Sequence, residues 1–108
     1  MTTPLPAAVA TYFKIANGVG MDAISSCFTP DAVVMDEGQT YQGHAAIRAW
    51  QRDARKKFDY TVSPASASLD GDRLSVVANI EGNFPGSPVK LEHRFDLAGG
   101  KIAALQIV

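Results

Sequence analysis

Three side chains in this sequence could move or hold a proton inside an apolar setting: Tyr12, Asp36 and His93. Asp36 ends the run Ala32-Val-Val-Met-Asp36, just before Glu37-Gly38. Period-two alternation puts it on the face of Ala32 and Val34, toward the protein interior if Val34 is inward. An aspartate at that position is also ordinary turn chemistry. A carboxylate among apolar neighbours can serve as a general base. Tyr12 falls on a helical stripe with Leu5, Ala8, Val9, Ala16 and Val19, so its hydroxyl needs an interior partner, and a structural role is the plainer reading. His93 alternates with Leu91 and Phe95 and should point inward. The plainer reading is a hydrogen-bonded core histidine, with acid, base or substrate-orienting roles left open by its place at a cavity.

Other chemistries lack their residues. The two histidines, His44 and His93, lie in different elements, and no Cys/His cluster has metal-ligand spacing. Neither phosphate-cradling glycine loop nor a Gly-x-Ser-x-Gly elbow is present, and no cofactor is indicated. The single cysteine, Cys27, rules out an internal disulfide, suits a reducing compartment and reads as a packed core thiol. The formal charge of -1 gives no general pull toward nucleic acid. Five basic residues between Arg48 and Lys57 read as the solvated face of a helix. No uncharged run reaches the roughly 18 residues of a membrane span. The first residues lack the positive segment of a signal peptide, so a cytoplasmic location is expected.

The elements that must position these groups follow from periodicity and punctuation. The 108 residues, 46% hydrophobic and 19% charged, suit one globular domain over 1–108 with a core of its own. Thr3 and Pro4 are candidates for the cap and first turn of a helix that Asn17-Gly18 ends. Asp22 is placed to cap a short second helix with Ala23, Ile24, Cys27 and Phe28 inward, stopped by Thr29-Pro30. A third helix runs from about His44 to Phe58, with Ile47, Trp50, Ala54 and Phe58 at helical spacing. Beyond Asp59 the chain alternates in long strands. Turns fall at Asp70-Gly71-Asp72, Pro85-Gly86-Ser87-Pro88 and Gly99-Gly100. Pro64 restricts the Tyr60 to Leu69 segment to an edge or a bulge. Helices first and a strand meander after them imply an α+β domain whose curved, mostly antiparallel sheet wraps three helices.

Together, Tyr12, the turn Asn17 to Met21, the helix Asp22 to Phe28, Asp31-Ala-Val-Val-Met-Asp36 and Gly43-His-Ala-Ala-Ile-Arg48 carry a resemblance. The chain resembles the ketosteroid isomerase branch of the NTF2-like (cone) superfamily, which includes the SnoaL-like polyketide cyclases. Arg94-Phe95-Asp96 before Gly-Gly-Lys-Ile102 is similar to that family's closing hairpin. The 24 residues from Tyr12 to Asp36 match its spacing without a gap.

That resemblance implies an isomerase, cyclase or dehydratase-type enzyme performing proton transfer on a small apolar carbonyl-type substrate. Asp36 would be the base, Tyr12 the donor to the developing enolate oxygen, and His93 an assistant. The family's second donor, an aspartic acid, falls here at Leu91, which cannot donate. Val34, Trp50, Phe58, Phe84, Leu91 and Leu105 are candidate walls of an apolar pocket, or plain core. The resemblance further implies a homodimer through the outer sheet face, consistent with a last strand that is apolar on both faces except at Gln106. A non-catalytic small-molecule binding module and a protein-interaction dimer are the alternatives on the same fold.

Overall fold

The computed structural model describes residues 5–108, apart from the Met21 side chain. Helix α1 (Ala7–Ala16) starts after Pro6, which stands at the N-cap without a side-chain bond. Thr3 and Pro4 lie outside the described residues, and the expected cap at Thr3 is replaced by Pro6. At the other end, Gly18 takes φ 86°. There its N–H reaches Ile15 O and the Val19 N–H reaches Lys14 O, the paired bonds of a Schellman turn. That reversal carries Val19 off the helix, so it is 62% exposed rather than part of the buried stripe.

A 3-10 turn (Met21–Ala23) leads into the four-residue helix α2 (Ile24–Cys27). Asp22 falls inside the 3-10 turn and α2 has no side-chain cap, contrary to the capping role its residue type suggests. Strand β1 (Phe28–Asp36) begins earlier than Ala32. Its ladder to the last strand shifts register between Phe28 and Val33, and Pro30 occupies that unpaired interval. Glu37 and Gly38, at φ 52° and 75°, make a two-residue turn of the type I′ sense into β2 (Gln39–Gln42). Helix α3 (His44–Lys57) follows, and His44 Nε2 donates to Phe28 O and Thr29 O, tying the helix start to β1.

The remaining strands are β3 (Tyr60–Asp70), β4 (Arg73–Gly82), β5 (Val89–Ala98) and β6 (Lys101–Ile107). They form one sheet in the order β2-β1-β6-β5-β4-β3, in which β1 and β6 run parallel and the other pairs antiparallel. The β3 ladder shifts register between Pro64 and Ser66, so the proline sits on an edge strand at a bulge. A third shift near Leu97 puts Ile102 and Leu105 both inside. Irregularities of this kind bend a sheet, and the inner face closes over α1, α2 and α3. Val9, Ile15, Ile24, Ile47, Leu74 and Ile102 meet there without solvent exposure.

Candidate functional site

Asp36 ends β1 on the inner face, as its alternation with the buried Ala32 and Val34 requires. Its Oδ2 accepts a hydrogen bond of 3.2 Å from Trp50 Nε1, one α3 turn beyond the buried Ile47. Half-burial pushes the Asp36 carboxyl above the ordinary carboxylate range, and the indole N–H opposes that rise without cancelling it. Tyr41 of β2 lies over the Trp50 ring at 5.9 Å, which holds the indole in place. Beside Asp36 a cavity of about 280 Å³ opens, bounded by Met35 to Thr40 on one side and Gln106 to Val108 on the other. Of the residues singled out from the sequence, Asp36 alone lines it.

Tyr12 projects from α1 into the core and is 2% exposed. Phe13, Phe28, Phe95 and His93 surround its ring at centroid distances from 5.2 to 6.1 Å. Burial holds its hydroxyl far above the usual phenol range, the charges of Tyr60 and Asp36 add to that, and hydrogen bonding with the Gln51 side chain opposes it. The phenol is therefore a neutral donor throughout the working pH range.

His93 is inward, at 2% exposure, with its ring nearly parallel to Phe95. Its Nδ1 lies 3.2 Å from Leu91 O. A carbonyl only accepts, so Nδ1 carries the proton and Nε2 keeps its lone pair. Burial lowers its pKa, which keeps the ring neutral at pH 7. Its neighbours are aromatic rings and its own strand, so no hydrogen-bonded dyad with Asp36 forms.

The other expected wall residues divide by burial. Val34 and Leu105 are fully buried core. Trp50, Phe58, Phe84 and Leu91 are half-buried, with Phe58 and Phe84 meeting edge to face at 6.0 Å. Cys27 is buried, donates from Sγ to Ala8 O at 2.9 Å, and is pushed up to about 12 by burial. Such a thiol is structural rather than nucleophilic.

Two residues near Tyr12 and Asp36 escape the sequence patterns. Gln51 is 2% exposed on a helix face where polarity argues for solvent. Arg55, one of the five basic residues read as a solvated face, turns inward instead. It donates to Ala16 O and to Tyr60 O, and its Cζ lies 4.5 Å from the Tyr60 ring centroid. Long side chains follow apolar surface while the charged head finds acceptors, so the helix spacing alone does not separate Arg55 from Arg52.

Among the described residues, no helix is long and apolar enough to cross a membrane, and no group of three potential metal ligands stands together.

Residues 9–105 match the family model of the SnoaL-like domain. No curated protein matches the chain. Among solved structures, a candidate polyketide cyclase from Sinorhizobium meliloti is 43% identical, with 96% of this chain and 95% of that chain covered and a TM-score of 0.91. A hypothetical protein of ketosteroid isomerase-like fold from Catenulispora acidiphila, solved with trimethylamine, is 20% identical over 97% and 86% of the two chains, with a TM-score of 0.83. SalBIII, an epoxide hydrolase/cyclase-like enzyme of pyran ring formation in salinomycin, is 25% identical over 93% and 85%, with a TM-score of 0.76. With a family match spanning nearly all of its length and the helix-and-sheet order described above, the chain belongs to the SnoaL-like domain family.

Proposed function

We propose that this protein is an acid–base enzyme of the cyclase or isomerase type that moves a proton on a small, largely apolar carbonyl substrate. The observation that carries the reading is the half-buried Asp36 carboxyl, raised in pKa and fixed by Trp50, on a residue that lines a cavity. A carboxylate whose pKa is raised is a stronger base than an ordinary one. Asp36 takes a proton from the carbon beside the carbonyl, and the C–H electron pair moves onto the carbonyl oxygen. Tyr12 donates a hydrogen bond to that oxygen as its charge grows, in surroundings of low polarity where such a bond counts most. The proton then returns at another carbon, or the enolate carbon attacks a second carbonyl and closes a ring, and the alkoxide formed there takes the proton from Asp36. Likeness to a candidate polyketide cyclase at 43% identity favours ring closure. His93 serves by packing on Tyr12 rather than by pairing with Asp36. Assembly as a homodimer through the outer sheet face belongs to the same reading.

One observation favours a second reading. Tyr12 is almost wholly enclosed and does not line the cavity at Asp36, as in a binding module that uses only that cavity. Titration with substituted naphthols, whose anions mimic an enolate, separates the two. Trp50 fluorescence reports affinity and ligand absorbance reports ionisation. Enzyme chemistry requires binding as the anion, loss in Tyr12→Phe, and tighter binding in Asp36→Asn, where the repelling carboxylate is gone. Equal binding of neutral naphthol by wild type and Tyr12→Phe would indicate the module.

A further inference from the structure

Leu91 leaves the site with one evident donor, and an oxygen gaining charge is better held by two. The topology points to where a second one stands. β1 ends at Asp36 and runs parallel to β6, while β5, β4 and β3 alternate in direction from there. The start of β3 therefore lies at the same end of the sheet as the end of β1. Tyr60 is the first residue of β3, and period two from the buried Val62 places it on the inner face, as Val34 does for Asp36.

We propose that Tyr60, braced by Arg55, is the second hydroxyl donor of the site and shares the substrate oxygen with Tyr12. The proposal rests on the acid–base reading of Asp36 and extends it.

Three contacts hold Tyr60 in position. The Arg55 guanidinium stacks over its ring and bonds its carbonyl and that of Ala16, bridging α1 to β3. Asn17 bonds both the N–H and the C=O of Val62, two residues on. Across the ladder stands Gly82, where an added Cβ would come 2.6 Å from Tyr60 Cβ. Only a residue without a side chain permits that approach. Tyr60 packs against the core as a half-buried ring. Although β1 and β3 stand at opposite edges of the sheet, α3 ties them together at this end: Trp50 bonds Asp36, and Arg55, five residues on, holds Tyr60 and bonds Ala16 O one turn beyond Tyr12 on α1. Burial keeps Tyr60 protonated, while the Arg55 charge over its ring opposes that rise and makes its O–H a better donor.

The test uses the same naphthol series with Tyr60→Phe, and a thermal melt shows that the variant is folded. Removing one hydrogen bond to an anion weakens binding by about tenfold or more. Tyr60→Phe is expected to lose that much for the naphtholate and to flatten the dependence of affinity on naphthol acidity. If Tyr60→Phe binds within twofold of wild type while Tyr12→Phe loses binding, the second donor is overturned and the base reading stands. If the wild type binds no naphtholate, both fall together. Should Tyr60→Phe fail to fold, wild-type protein carrying [13Cζ]tyrosine decides the matter. A Tyr60 resonance that moves on saturation supports the proposal, and one that stays fixed refutes it.

Discussion

Replacing Asn17 by alanine should loosen the mouth of the cone at a stated cost. The Asn17 amide donates to Val62 O at 2.9 Å and accepts from Val62 N at 2.6 Å. It acts toward the outer edge of β3 as a peptide group of one more strand would. Each such bond contributes about 1 kcal/mol net. Val62 is 4% exposed, so its backbone groups regain water only in part. The sum for Asn17→Ala is roughly 2–3 kcal/mol. Alanine brings no conformational penalty of its own, because Asn17 has φ -91°. For a domain of this size that corresponds to a fall of about 10–20 °C in Tm. Urea unfolding gives the free energy, and hydrogen exchange at the Val62 amide reports the contact directly. Asn17→Asp supplies a second signature. Its carboxylate can accept from Val62 N–H but faces the Val62 carbonyl, so part of the loss should be recovered on acidification, when the protonated acid donates again. A cost below about 0.5 kcal/mol, or unchanged exchange at Val62, would refute the reasoning.

Two further outcomes follow from buried ionisable groups. Asp36 takes up its proton more readily folded than unfolded, so its contribution to stability is fully present below the unfolded carboxylate pKa and is lost as pH rises through the raised folded value. Asp36→Asn should therefore be more stable than wild type at pH 7, with the difference vanishing toward pH 3 in a series of melting curves. The Cys27 thiol, held up to about 12 and bonded to Ala8 O, should resist a disulfide reagent at pH 8 until urea unfolds the protein. Rapid labelling of the native protein would contradict its placement.

The order of helices and strands was legible because it depends on local signals. Pro64 confined its segment to an edge or a bulge, and β3 is both. Clean alternation set His93 inward, and Ala32 and Val34 set the face of Asp36. The positions that escaped are those decided by distant partners. Asn17 reads as a helix stop, yet its side chain answers to Val62, 45 residues on. Arg55 carries the same signal as Arg52 but finds acceptors on α1 and β3. The closed surroundings of Tyr12 depend on how rings from three elements fill one space, which periodicity does not specify.

The bulge between Pro64 and Ser66 also divides β3 into halves with different obligations. Before it, Tyr60 and Val62 face the helices. After it, Ser66, Ser68, Leu69 and Asp70 are exposed, and the strand leads to the turn at the opposite end of the sheet from Asp36. The β4 partners of that outer half, Leu74 and Val76, stay in the core, so the freedom belongs to the exposed side of β3 alone. Substitutions at Ser66, Ser68 and Asp70 would change what this edge offers to a neighbour while leaving the register of Tyr60 and the arrangement around Asp36 untouched.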